Sequence, residues 1–285
     1  MILVAGGDSF VFGAELADQT HFNPSMSTYT ALLAKQSNLE YYCAAHSGNA
    51  NNAITRMTMT ACENFKKQNK DVCAIVTWTF TNRYEFRFNY NTQQKISPWY
   101  SINAWSIIDD TKLIENEFVN KNYYILEKQK DNINRAKLTG ISDFAKTFFM
   151  HVGDNEYYEL YSSLKEILFL QQYFKQNSIP YLFLPADNHF YQHPNYYRRQ
   201  DEFVDAIYDQ IDWDKWFFFE SGTEADHTKE PRGFYQWAIE NKYPVGTTHP
   251  LEEAHSAAAK LIKEKFNDMV TQSNKSNSIR NTLQT

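Results

Sequence analysis

Apolar and polar positions change rhythm several times along the chain, and each rhythm predicts an element. Residues 2–5 (ILVA) are continuously apolar and stop at Gly6-Gly7, the pattern of a strand buried on both faces that runs into a turn. Residues 26–36 read as a helix, with Ser25 or Ser27 as its cap. A second strand is predicted at 41–45, ending at His46-Ser47-Gly48, and Asn51 or Asn52 is placed to cap a helix that reaches about Gln68. The apolar run 72–78 is a third strand. Strand and helix in alternation are the signature of a parallel sheet covered on both faces.

The alternation stops at 85–140, a stretch rich in Asn, Tyr, Lys and Trp. We read it as an insertion that covers one end of the sheet and shapes a pocket with Trp99, Tyr100 or Trp105, or else serves as an assembly surface. The rhythm resumes with a helix at 155–176, a fourth strand at 181–184 and a helix at 199–210. Leu251, Ala254, Ala258, Leu261, Ile262, Phe266 and Met269 recur at helical spacing in a final helix over 251–270. The polar residues 271–285 are expected to form a flexible tail. The predicted fold class is therefore a three-layer α/β domain with a flavodoxin-like parallel sheet, spanning 1–270 and carrying one inserted cap.

Length agrees with that reading. An α/β domain can reach about 200–250 residues, so 285 residues suit one domain with an insertion better than two. Apolar residues at 42% suffice for a sizeable core. A net charge of -6 without a long basic run argues against nucleic acid as a partner. No apolar stretch approaches the roughly 20 residues that span a bilayer, so no membrane partner is expected. MILVAGG opens directly in a strand with no charged leader, which predicts a chain that is cytoplasmic as synthesised. Cys43, Cys62 and Cys73 are odd in number and without a CxxC, which fits free thiols.

Chemistry is sought beyond the carboxyl ends of the strands, where open parallel sheets hold their ligands. The first strand delivers Gly7-Asp8-Ser9, the second Gly48 and the third Asn82. These are the residue types of an acyl-transfer site: a hydroxyl nucleophile with backbone and amide donors for the oxyanion. Each also has a plain structural role, since Ser9 can cap a helix, Gly48 can serve a turn, and His249 can cap the last helix. GGDSFVFG is not GxGxxG, no GK[ST] occurs and no GxSxG elbow occurs, so no nucleotide or metal cofactor is indicated.

GGDSFVFG (6–13), HSGNANNAI (46–54) and HPLEEAH (249–255) resemble, in order, the first, second and last blocks of the SGNH/GDSL hydrolases. The resemblance implies Ser9 as nucleophile and His249 as general base. It also implies an oxyanion hole of the Ser9 and Gly48 N–H groups and the Asn82 side chain. His255 is the rival base. The chain departs from the pattern twice. WTFTNRYE lacks the glycine that precedes the third-block Asn, and the acid three residues before the histidine is replaced by Gly246. The site is then a Ser-His dyad, an impaired site, or one that recruits an orienting acid from elsewhere, with Asp187 and Asp226 as candidates; Gly246→Asp is expected to raise turnover where only that acid is missing. The function implied is hydrolysis of an O-acyl ester, on a small molecule or a glycan such as an O-acetylated sugar. Gly246 keeps a second reading open: a glycan-binding or structural protein on the same scaffold. A further likeness to SGNH-like proteins of phage genomes adds the virion as a location and assembly as a role.

Overall fold

A computed structural model of the chain describes residues 1–20, 22–88, 99–103, 106, 140–188, 202–220 and 231–283. It divides into two compact units, Met1–Thr81 with Leu160–Thr285, and Asn82–Glu159.

The first unit is built on β1 (Ile2–Gly6), β2 (Glu40–Cys43), β3 (Val72–Trp78) and β6 (Tyr181–Pro185), in the order β2-β1-β3-β6 and parallel throughout. The register sorts side chains by parity. Leu3, Ala5, Cys73, Ile75, Leu182 and Leu184 share one face and join a core with α2 (Tyr29–Gln36), α7 (Phe234–Glu240) and α8 (Glu252–Leu283). Against the other face lie α3 (Asn51–Lys67) and α5 (Glu156–Gln176). There Thr58 abuts Gly6, and Phe174 stacks on Tyr181 at 5.2 Å. Because both faces are covered, β1, β3 and β6 are buried at every position, and their sequences are apolar runs without alternation. The edge strand β2 does alternate, and Glu40 and Tyr42 are exposed.

Several boundaries differ from the sequence expectation; the second strand, for one, ends at Cys43 and not at 45. The cap of α2 is Thr28, whose hydroxyl accepts from Ala31 N–H; Ser25 instead donates to Asp18. The last helix does not stop near 270 but continues to Leu283, which is helix where a flexible tail was expected. No Gly or Pro falls between 271 and 283 to end it.

The second unit takes in the expected insertion but is wider than 85–140. In it β4 (Tyr84–Arg87) pairs antiparallel with β5 (Trp99–Ile102), and α4 (Ile141–Phe148) leads into a π-helical turn at Phe149–Gly153. Tyr84, Ile102, Ile141, Ala145 and Phe149 form its own small core. Trp99 and Tyr100 lie on β5, with Trp99 exposed; Trp105 falls outside the described residues. Among the described residues no helix is long and apolar enough to cross a membrane.

Candidate active site

The strand order places a switch between β1 and β3: the chain leaves β1 toward β2 on one side and leaves β3 toward β6 on the other. Crevices at such points, beyond the carboxyl ends of the strands, are where open α/β sheets bind ligands. Ser9 stands there. Gly7 lets the chain turn tightly, since a Cβ at this position would collide with the Val11 side chain. Asp8 then caps α1 (Ser9–Phe12): its Oδ1 accepts from Phe10 N–H at 3.0 Å and its Oδ2 from the Thr79 hydroxyl at 2.6 Å. With Asp8 fully buried and bonded from two directions, Ser9 is fixed at the first position of the helix and is itself 7% exposed.

The loop after β2 is tied to this turn. Asn49 Nδ2 donates to Gly7 O at 2.9 Å, and the rings of His46 and Phe12 pack at 5.6 Å. Gly48 has φ +82°, a left-handed conformation that favours glycine, and nothing lies within 4 Å of where its Cβ would be. Neither the Ser9 nor the Gly48 N–H has an acceptor among the described residues.

His249 comes from a reversal just before α8. Gly246 N–H donates to His249 O at 2.9 Å, and Val245 bridges to Pro250. The ring packs against Phe10 at 5.2 Å, and Nε2 lies 2.8 Å from Ser9 Oγ although the residues are 240 apart in sequence. On the other side, Nδ1 faces Thr248 Oγ1 at 2.9 Å and Glu15 Oε1 at 3.3 Å. Glu15 Oε2 also accepts from the backbone N–H of Thr248 at 3.1 Å and of His249 at 3.3 Å. Burial works to raise the Glu15 carboxyl, but the Thr248 N–H and the charge and hydrogen bonds of His249 outweigh it, and the group is held below its ordinary 4.5. An ionised carboxylate offers only acceptors, so Nδ1 carries the hydrogen and Nε2 presents a lone pair to the Ser9 hydroxyl.

The other candidates lie elsewhere. His255 is buried, stacks on Tyr29 at 5.4 Å and accepts from Tyr29 N–H through Nδ1 at 3.2 Å. Burial pushes it down to about 3, so it stays neutral as a core acceptor rather than a second base at Ser9. Asp187 is not the carboxylate at His249 Nδ1; Glu15 is. The Asp187 backbone instead packs beneath Gly233, where any Cβ would overlap it, and Asn188 Oδ1 accepts from Gly233 N–H at 2.7 Å. Asp226 falls outside the described residues. Asn82 is the first residue of the second unit. Asn51, expected as a cap, is the first residue of α3 and clamps the exit of β3, accepting from Thr79 N–H at 2.9 Å and donating to Ser163 Oγ at 3.0 Å. Among the described residues there is no cluster of three His, Cys, Asp or Glu side chains fit to hold a metal. Burial pushes the Cys62 and Cys73 thiols up to about 12, which leaves them unreactive.

Glu15 and Thr248 escaped the sequence reading. Glu15 lies in a loop just past the first block, and no spacing rule links it to a histidine near the other end of the chain. Gly246 was the one signal that an acid had to come from outside the last block. No family model, no curated protein and no solved structure matches the chain.

The arrangement joins a hydroxyl to an imidazole in the right tautomer, with two free backbone donors beside the sheet's switch point. It can deprotonate Ser9 as an electrophilic carbon approaches and hold negative charge on the oxygen that results.

Proposed function

We propose that the protein is a serine ester hydrolase of the SGNH/GDSL type, acting on O-acyl esters. The observation that carries this reading is the 2.8 Å contact between Ser9 Oγ and His249 Nε2. Ser9 Oγ attacks the ester carbonyl as His249 Nε2 takes its proton. The carbonyl oxygen becomes an oxyanion, received by the Ser9 and Gly48 N–H groups. Collapse expels the alcohol, which leaves with the proton from His249, and an acyl-Ser9 remains. Water then attacks that carbonyl, His249 again accepts the proton and returns it to Ser9, and the acid departs. Asn82, the third donor that the resemblance implies, is tested by Asn82→Ala. The acyl group proposed is a small one such as acetyl, on a simple alcohol or a sugar.

The test is hydrolysis of p-nitrophenyl acetate and an O-acetylated sugar, with a fluorophosphonate probe in parallel. Wild type should turn over ester and be labelled at Ser9. Ser9→Ala should lose both, and His249→Ala should lose turnover almost as completely because the two act as a unit. Equal background rates in wild type and Ser9→Ala, with no labelling, would reject the enzyme and leave a binding or structural protein.

A further inference from the structure

The geometry points to Glu15 as the positioning acid of this site, a carboxylate that reaches His249 from the far end of the chain and occupies the volume that glycine at 246 leaves empty. The inference rests on the hydrolase reading above and names a residue that neither the motif blocks nor their spacing contains.

Three observations carry it. First, Glu15 spans the turn that presents His249. Its Oε2 accepts from Thr248 N–H and His249 N–H, and its Oε1 lies 3.3 Å from His249 Nδ1 and 3.4 Å from Thr248 Oγ1. The Thr248 hydroxyl, 2.9 Å from Nδ1, can accept from Nδ1–H and donate to Glu15. The carboxylate thus fixes both the backbone and the tautomer of the base.

Second, a Cβ built on Gly246 would fall well inside contact distance of Glu15 Oε2, and its nearest neighbours are all atoms of Glu15. Gly246 does not have the left-handed φ that would by itself require glycine. A side chain there would push the Glu15 carboxylate from its place. A Cβ at 246 and the Glu15 Oε2 compete for the same place.

Third, Glu15 has φ +71°, a left-handed conformation that costs a residue with a Cβ. It follows Gly13, also left-handed, and the loop is held at Ala17, whose N–H donates to Glu252 Oε1 at 2.8 Å at the start of α8. This anchoring keeps the carboxylate aimed at the turn.

The consequence is a change of sign between two backgrounds. Gly246→Asp alone should lower turnover, because two carboxylates cannot share one space; this reverses the gain expected from sequence. In a Glu15→Ala background the same substitution should raise turnover, since the two closer atoms, Glu15 Oε2 and Cδ, are gone and the remaining Cβ lies at an ordinary 3.4 Å. The experiment measures kcat and KM for p-nitrophenyl acetate in wild type, Glu15→Gln, Glu15→Ala, Gly246→Asp and Glu15→Ala/Gly246→Asp, with thermal melts to establish folding. Loss of an orienting carboxylate can cost about 10⁴ in turnover. Glu15→Ala should therefore lose about 10³–10⁴ in kcat, and isosteric Glu15→Gln a comparable amount, with KM within about threefold. The double variant should regain at least about tenfold over Glu15→Ala. A loop brace without a role in orienting the base would give no such rescue. Wild-type activity with kcat in Glu15→Ala within about twofold would overturn the Glu15 assignment alone, as would a folded double variant no faster than Glu15→Ala. No turnover and no labelling of Ser9 in wild type would instead overturn the hydrolase reading beneath it.

Discussion

His249 and His255 lie close in sequence and have opposite surroundings. The ring of His249 is bonded through both nitrogens and its side chain is 17% exposed, so it stands where it can take a proton from Ser9 Oγ. His255 is 1% exposed, and its Nδ1 is committed to Tyr29 N–H. The cost of that burial appears as pH dependence. Below its ordinary 6.5 the unfolded chain protonates His255, whereas the folded chain holds it neutral down to about 3. The unfolded state then binds more protons, so stability falls as pH drops from about 6.5, by up to about 1.4 kcal/mol per pH unit for one site. Glu15 acts in a lower window: its carboxyl is depressed, so its contribution is complete above 4.5 and is lost as pH falls through its folded value. Between pH 7 and 5 the decline should therefore be shallower in His255→Gln, which keeps an acceptor for Tyr29. Urea unfolding at several pH values measures it, and equal slopes in the two proteins would refute this role for His255.

The element that matters most is the smallest. Four residues of α1 are too few to be stable by themselves. Their geometry is imposed by Asp8 at the front, by left-handed Gly13 behind, and by Phe10, Val11 and Phe12 packing into the main core. Asp8→Ala removes a helix cap and the acceptor of the Thr79 hydroxyl, both buried. It should cost about 2–4 kcal/mol in urea unfolding and reduce ester turnover and probe labelling together, because Ser9 loses its fixed position. A variant as active and as stable as wild type would show that α1 holds Ser9 without this cap. The GGDS block was visible as a strand end followed by a serine, but Asp8 as the clamp between β1 and the exit of β3 was not. Thr79 lies 71 residues away, and only the β1–β3 pairing brings the two together.

The two units differ in what holds them. The first has a core that runs from β1 to Met269 of α8 and includes Trp237, Phe234 and Phe266, whereas the described core of the second is five residues around Tyr84. Small cores leave less stability against local opening. Hydrogen exchange should therefore be slowest in residues 2–6 and 72–78 and distinctly faster in 84–87, 99–102 and 141–148. Equal protection throughout would mean that the units unfold as one. By itself the sequence determined the four strands of the parallel sheet and the helices around them. A strand buried on both faces must be apolar at every position, as in ILVA and VCAIVTW, and a helix over a sheet must show its apolar stripe, as Ala254, Ala258, Ile262 and Phe266 do. It also displayed Ser9, Gly48 and His249 as chemically able residues at the ends of those elements. It did not display Glu15, because a carboxylate in a polar loop looks like any solvated charge, and only the folded chain shows that it fills the space above Gly246. Local periodicity records which face of an element is buried. Which loop meets which turn across more than 200 residues is decided by strand order and packing, and at this site that meeting supplies both the hydrogen bond to Ser9 and the carboxylate behind the histidine.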